Sequence, residues 1–279
     1  MKILVTGGAG FIGSHLVKAL LRNHSVRVLD DLSTGKKENV PADVEFIKGD
    51  VRDGADVSRA ARGCEAVFHL AALTDARETG DKIFEVNFLG SRNVFAAAAL
   101  NNARVIFASS AAVYGDGKPI ESGEVKPISD YGKSKAKAEK LVKSGFIARL
   151  FNVYGSGGKG VINKFAMNIK QGEEIRIYGT GLQTRDYIYV DDVVSALMLG
   201  LTQEGTYNVG TGIETSLLNV VSEIEEACDS KAAIKSELPK EEEIKRSRAD
   251  ITKIRALGWA PRVSLEDGIR TLINVTTIK

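Results

Sequence analysis

The stretch Thr6-Gly7-Gly8-Ala9-Gly10-Phe11-Ile12-Gly13, set directly behind the apolar run 3–6, constrains this chain more than any other feature. Glycines at 7, 10 and 13 allow a tight turn, a close approach of backbone amides to a pyrophosphate, and close packing of helix on strand. A helix opening at this point aims its unpaired amides and the positive end of its dipole at the phosphates. A glycine triplet alone is also compatible with a plain tight turn. Here Asp30 ends the next expected strand, 17 residues after Gly13. A carboxylate in that place accepts hydrogen bonds from the ribose hydroxyls of an adenosine. Asp31 stands beside it and no arginine follows at once, so a 2′-phosphate would be repelled. The expected cofactor is NAD rather than NADP.

Short apolar runs alternate with helical patterns through the first half. Strands are expected at 3–6, 26–30, 44–48, 66–70, 105–109 and 146–151, and helices at 11–22, 56–61, 83–100 and 130–143. Continuous apolar strands separated by helices predict an α/β fold, a doubly wound parallel Rossmann sheet covered on both faces. Beyond Tyr154 the pattern turns irregular, with Gly155-Ser156-Gly157-Gly158, a helix at 161–171 and a strand at 175–178. Residues 186–208 read as strand, helix and strand able to rejoin the main sheet, and the tail 216–279 as two further helices. The expected division is a Rossmann domain over 1–154 plus about 186–211. A smaller, discontinuous C-terminal substrate lobe would take about 155–185 and 212–279.

With 279 residues, 43% hydrophobic and 27% charged, the chain has the composition of an ordinary globular protein. A net charge of +2 offers no field for nucleic acid or a membrane surface. No apolar run approaches the roughly 18–20 residues that span a bilayer. Cys64 and Cys228 lack metal spacing and form no disulfide framework, and no leader pattern precedes the first strand. A cytoplasmic protein is expected, with no metal.

Tyr131-Gly-Lys-Ser-Lys135 places a phenol and an ammonium four residues apart on one helix face. A free tyrosine, with a pKa of roughly 10, is a poor base at neutral pH. A neighbouring ammonium, helped by a positive nicotinamide ring, stabilises the phenolate and is expected to lower that pKa. Tyr114 and Lys118 repeat the spacing, but Gly115, Gly117 and Pro119 make a helix there unfavourable. The later pair follows Ser109-Ser110, expected at the C-terminal end of the fifth strand, where ligands collect in an open parallel sheet. A serine there can hydrogen-bond the oxygen whose proton the tyrosine takes.

The order of motifs is specific. The glycine loop, Asp30, His69-Leu70-Ala71-Ala72, Asn87, Ser109-Ser110-Ala-Ala-Val-Tyr114-Gly, the Tyr131–Lys135 run, Arg149-Leu-Phe-Asn-Val-Tyr-Gly155 and Arg185-Asp-Tyr-Ile-Tyr-Val resemble the extended short-chain dehydrogenase/reductases. Within them the chain resembles the NAD-dependent epimerase/dehydratase family, and most the UDP-glucose 4-epimerase group. The resemblance implies Ser110, Tyr131 and Lys135 as the catalytic set. It implies NAD contacts from Gly7, Gly10, Phe11, Ile12, Gly13, Asp30, Asp31, Asp50, Val51, Leu70, Ala71, Ala72, Asn87 and Phe151, with Tyr131 and Lys135. It implies UDP-sugar contacts from Thr74, Ser110, Asn152, Val161, Arg185, Tyr187 and Leu217. Arg185 suits a bidentate diphosphate clamp, though an ion pair with Asp186 or Asp191 would also occupy it. His69 is expected to be a packed strand residue.

Three departures from the family pattern stand out. An ungapped match places Lys240 and Glu243 where an arginine and an aspartate usually hold phosphate and ribose. It places Ser247 where the family's residue decides whether N-acetylated sugars fit. Only fourteen positions separate Lys135 from Arg149, a short span for the helix that commonly builds the family's homodimer. Thr74 stands where some members have a lysine. The resemblance implies reversible 4-epimerisation of a UDP-hexose, including its N-acetylhexosamine forms. A 4,6-dehydratase would typically carry an acid just after the catalytic hydroxyl, where Ala111 and Ala112 stand. A reductase with the same triad, or a non-catalytic NAD sensor, are the remaining alternatives.

Overall fold

The structure is a computed structural model that describes residues 1–74, 80–116, 118–238 and 245–275. Elements run in the order β1 (Lys2–Thr6), α1 (Phe11–Leu20), β2 (Ser25–Asp30), β3 (Glu45–Lys48), α2 (Gly54–Ala61), β4 (Ala66–His69) and α3 (Asp81–Phe84). A π-helical turn (Glu85–Gly90) leads into α4 (Ser91–Leu100), followed by β5 (Arg104–Ser110), a 3-10 turn (Ala111–Tyr114), α5 (Asp130–Glu139) and β6 (Phe146–Leu150). Then come β7 (Asn152–Tyr154), α6 (Val161–Gln171), β8 (Glu174–Tyr178), β9 (Thr184–Arg185), β10 (Tyr187–Tyr189), α7 (Val190–Leu199) and β11 (Gly205–Val209). The chain closes with β12 (Thr215–Ser216), α8 (Leu217–Cys228), β13 (Ala233–Glu237), α9 (Thr252–Arg255) and α10 (Leu265–Val275).

It divides into two compact units. The first takes 1–117, 124–149 and 194–207, and the second takes 118–123, 150–193 and 208–279. The first unit is organised by a seven-stranded sheet in the order β11-β6-β5-β4-β1-β2-β3. The pairs β1–β2, β1–β4, β2–β3 and β4–β5 are parallel. The direction of strand order reverses between β1 and β4, which creates a crevice at the carboxyl ends of these strands. This is the doubly wound Rossmann arrangement that the sequence predicts. Strand β4 is buried along its whole length, and β1 and β2 all but their first residue, which explains their mainly apolar runs, broken on β2 by the buried Arg27. One face of the sheet buries Leu4, Leu29, Val67 and Phe107 against Val57, Val94 and Ala98 of α2 and α4. Local chemistry sets the helix starts. Asp53 accepts hydrogen bonds from Ala55 N at 2.7 Å and Asp56 N at 3.2 Å ahead of α2, and Ser129 accepts from Gly132 N at 3.1 Å ahead of α5.

The second unit has three short ladders. Strands β7 and β10 pair in parallel, β9 and β12 antiparallel, and β8 and β13 in parallel. Helices α6, α8 and α10 pack on one another. The strand–helix–strand segment expected to rejoin the main sheet does so only through β11, because β10 is taken by β7. Strand β13, whose Ala-Ile-Lys-Ser-Glu is largely exposed, departs from the purely helical tail expected. It forms by pairing with β8 rather than by burying a face, so no burial pattern marks it. Among the described residues no helix is long and apolar enough to cross a membrane.

Candidate active site

The glycine loop joins β1 to α1 as expected. Gly7 has φ +71°, a conformation that favours glycine. A Cβ at Gly13 would collide with the Gly7 carbonyl oxygen and lie 2.8 Å from Gly8 Cα. The loop therefore folds back on the first turn of α1, whose Phe11 and Ile12 amides have no acceptor inside the helix. Asp30, 7% exposed, ends β2, and its carboxylate accepts from Ala9 N and from Leu32 N, both at 2.9 Å. Burial pushes this carboxyl above its ordinary value against the pull of those two amides. So Asp30 holds the loop as well as standing where a ribose would lie. Asp31 is exposed and caps Ser33. Such a cradle, closed to any side chain at Gly13 and edged by a carboxylate, fits an adenine dinucleotide.

Asp50 and Val51 follow β3, where Arg52 grips Asp50 through Nε at 2.9 Å and Nη2 at 2.6 Å. That guanidinium holds the Asp50 carboxyl below its ordinary value. Leu70, Ala71 and Ala72 follow β4, half-buried, and Thr74 beyond them is exposed. Asn87 is fully buried on the π-helical turn, with Nδ2 donating to Leu73 O at 2.9 Å and to Ser134 Oγ at 3.1 Å. One uninterrupted helix was expected over 83–100. The π-turn is the difference, and such turns concentrate at functional positions. His69 is the packed strand residue expected, fully buried between Thr6 Oγ1 at 2.7 Å and Ser91 Oγ at 2.8 Å, and stacked on Phe107. Burial pushes its pKa down to about 3.

Ser110 ends β5, and its Oγ accepts from Ala112 N at 3.1 Å, opening the turn 111–114. Helix α5 meets that turn at Gly132, where a Cβ would collide with the Ala112 carbonyl oxygen and lie 3.0 Å from Pro127 Cβ. This close approach carries Tyr131 to the side of Ser110, whose side chain favours the ionised phenol. Lys135, one turn further along α5, is 2% exposed. Its Nζ donates to Ala108 O at 2.8 Å and stands 4.7 Å over the Phe107 ring. The three expected catalytic side chains thus all lie within one unit. Burial pushes the Tyr131 phenol above its ordinary value, opposed by the Ser110 hydrogen bond, while Lys135 Nζ is directed to the Ala108 carbonyl. Burial also pushes Lys135 down to about 7.

Tyr114 is buried and accepts a hydrogen bond from Arg149 Nη1 at 3.0 Å. Arg149 forms a bidentate pair with Glu139, Nε to Oε1 at 2.9 Å and Nη2 to Oε2 at 2.7 Å. Residues 111–114 form a 3-10 turn ending in Gly115 at φ +56°, so Tyr114 and Lys118 share no helix face.

In the second unit, Phe151 is buried and its N donates to Val209 O at 3.0 Å. Asn152 Nδ2 donates to Asp186 O at 3.2 Å, and Tyr187 is buried on β10. Val161 opens α6, and Leu217, at the start of α8, donates its amide to Gln183 O at 3.2 Å. Arg185 lies half-buried on β9 with Nη1 donating to Thr184 O at 2.9 Å. The Asp186 carboxylate is committed elsewhere, accepting from Thr211 N at 2.7 Å, Gly212 N at 2.8 Å and Ala249 N at 3.1 Å. Ser247 is half-buried on an extended segment and donates its amide to Thr184 O at 3.1 Å, beside the Arg185 strand. Lys240 and Glu243 lie outside the described residues. Among those residues no group of acidic, histidine or cysteine side chains could hold a metal.

The NAD dependent epimerase/dehydratase family model matches residues 3–210. The chain belongs to that family. It is accordingly an NAD-dependent enzyme of nucleotide-sugar chemistry, an epimerase or a related decarboxylase or dehydratase. It is 36% identical to the UDP-glucose 4-epimerase of Thermus thermophilus, solved with NAD, with a TM-score of 0.92 and 98% of each chain covered. It is 32% identical to the UDP-glucose 4-epimerase of Thermotoga maritima, solved with UDP-glucose, with a TM-score of 0.94 and 100% of each chain covered. It is also 33% identical to the UDP-N-acetyl-alpha-D-glucosaminuronate decarboxylase of Bacillus cytotoxicus, over 98% of this chain and 96% of the relative.

Proposed function

We propose that the protein is a reversible 4-epimerase of UDP-hexoses that interconverts UDP-glucose and UDP-galactose. The observation that carries this reading is Ser110 beside Tyr131 with Lys135 buried one turn further along α5, and the uncharged Ala111 and Ala112 directly after the serine. NAD, when bound, supplies the reversible two-electron oxidation of a carbinol carbon. Tyr131 takes the proton of the sugar's 4-hydroxyl and later returns it, so it acts as base and then as acid. Ser110 hydrogen-bonds the same oxygen in both steps, and the Lys135 ammonium favours the phenolate. Arg185 clamps the diphosphate, while Asn152, Val161, Tyr187 and Leu217 take the rest of the nucleotide.

A uronate decarboxylase is the second reading, favoured by the Bacillus relative. It would need to recognise the carboxylate at sugar carbon 6. The alanines beside Ser110 offer no charge, and Arg149 is engaged by Glu139. Purified protein given UDP-galactose should yield UDP-glucose without net change in NADH. Release of carbon dioxide from UDP-glucuronic acid, with no epimerase activity, would replace the first reading by the second.

Sugar breadth follows from Ser247. Its hydroxymethyl group leaves room where a ring would exclude an acetamido substituent, and packed walls reject excess volume more sharply than a missing contact does. UDP-N-acetylglucosamine is therefore expected as a substrate beside UDP-glucose. Ser247→Tyr should lower kcat/KM for the N-acetyl sugar by about tenfold or more, and for UDP-glucose by much less. Unchanged use of the N-acetyl sugar in that variant would remove Ser247 from the specificity wall.

A further inference from the structure

We infer that Glu139 is a positioning residue for Lys135: its carboxylate, braced by Arg149 and Ser109, is the counter-charge to the buried ammonium at the end of β5. Glu139 follows Lys135 by four residues on α5, so the two share a helix face. The carboxylate receives Ser109 Oγ at 2.6 Å, Arg149 Nε at 2.9 Å and Arg149 Nη2 at 2.7 Å. Arg149 is locked in turn by Tyr114, through the hydroxyl at 3.0 Å and the ring face at 4.9 Å. Both members of the ion pair are below 10% exposed, at 7% and 9%. A buried pair of this kind often adds little stability over an apolar filling of the same space, so its value has to be sought in what it acts on.

What it acts on is a dry ammonium. Lys135 is held by one neutral acceptor, the Ala108 carbonyl, and one ring, Phe107. Burial drives it down, and with the charge of Glu139 opposing that fall it comes to about 7. The other titratable groups around it supply no negative charge. His69 on β4 is neutral, pushed down by burial and by the Lys135 charge, burial opposes ionisation of Tyr131 on α5, and Arg149 on β6 is cationic. Ser109 ties the same carboxylate to the residue before Ser110, so the brace links strand and helix of the triad. The inference rests on Lys135 acting as the helper of Tyr131. The ammonium is present below its pKa and lost as pH rises through it, so an activity that needs it loses its alkaline side at that pH.

The test follows the Nζ resonance of Lys135 in 15N-lysine-labelled, NAD-saturated protein, assigned by its loss in Lys135→Met. Glu139→Gln should lower the titration midpoint by about one to three pH units, since it removes the near charge and leaves Arg149 uncompensated. Arg149→Met should raise it, because the carboxylate then acts without its partner. Arg149→Lys, which keeps the charge, should bring it back towards wild type. The alkaline limb of kcat/KM should move with the midpoint in each case. If Glu139→Gln does not fold, Glu139→Met/Arg149→Met replaces the pair by apolar side chains, and its midpoint should lie below wild type. Midpoints that stay within about half a pH unit, or that move the same way in the two single variants, overturn the inference, as does a double variant at or above wild type. Full turnover by Lys135→Met would instead bring down the assignment of the helper, whatever Glu139 does.

Discussion

Tyr131→Phe is expected to cut kcat by about 10²–10⁴-fold while cofactor and nucleotide binding survive. The substitution keeps the ring on α5 and removes only the hydroxyl that meets Ser110. The other tyrosine near Ser110 cannot replace it, because that one is spent on structure. Tyr114 Oη accepts from Arg149 Nη1 at 3.0 Å, and the residue is 2% exposed. Tyr114→Phe should therefore act on stability, at a cost of about 1–3 kcal/mol for a buried donor left without its acceptor, with kcat changed far less. Turnover and thermal unfolding measured on both variants check the pair. Equal loss of kcat in the two, with folding intact, would sink the assignment of Tyr131.

Gly132→Ala is expected to cost about 10²-fold in turnover, although alanine is the better helix former by about 1 kcal/mol. The added methyl collides with the Ala112 carbonyl oxygen and crowds Pro127. Backbone on one side and a ring on the other leave it nowhere to go, so α5 has to move off the turn 111–114. Tyr131 and Lys135 ride on that helix while Ser110 stays on β5, and a misplacement of about 1 Å is enough for such a loss. Overpacking adds about 1–3 kcal/mol of destabilisation. Circular dichroism with temperature and steady-state kinetics report the two effects separately. A variant within about threefold of wild-type kcat would show that helix and turn are not in the contact described.

The dinucleotide half was legible because its signals are local. The loop 7–13, Asp30, the residues after β4 and Ser110 each sit at the carboxyl end of a strand whose apolar run marks it, and the parallel order brings those ends together. The helix around Asn87 was legible, but not the π-turn within it. Gly132 and Glu139 were visible as letters and unread as function. The signal was present in both cases, a glycine directly after the tyrosine and a carboxylate four residues after the lysine. Neither announces what it will meet.

Sequence by itself determined the alternation of strands and helices, the parallel sheet, the carboxylate that ends β2 and the spacing of phenol and ammonium. All of these are set by backbone periodicity and by side chains within a few residues of one another. Tertiary structure alone decided that β10 leaves the main sheet for β7, and that β13 exists at all. Spacing along a helix says that a charge is near, but burial and the direction of Lys135 Nζ toward Ala108 decide how much of that charge the phenol feels. Desolvation and pairing across strands are properties of what the folded chain brings from elsewhere, and no local pattern encodes them.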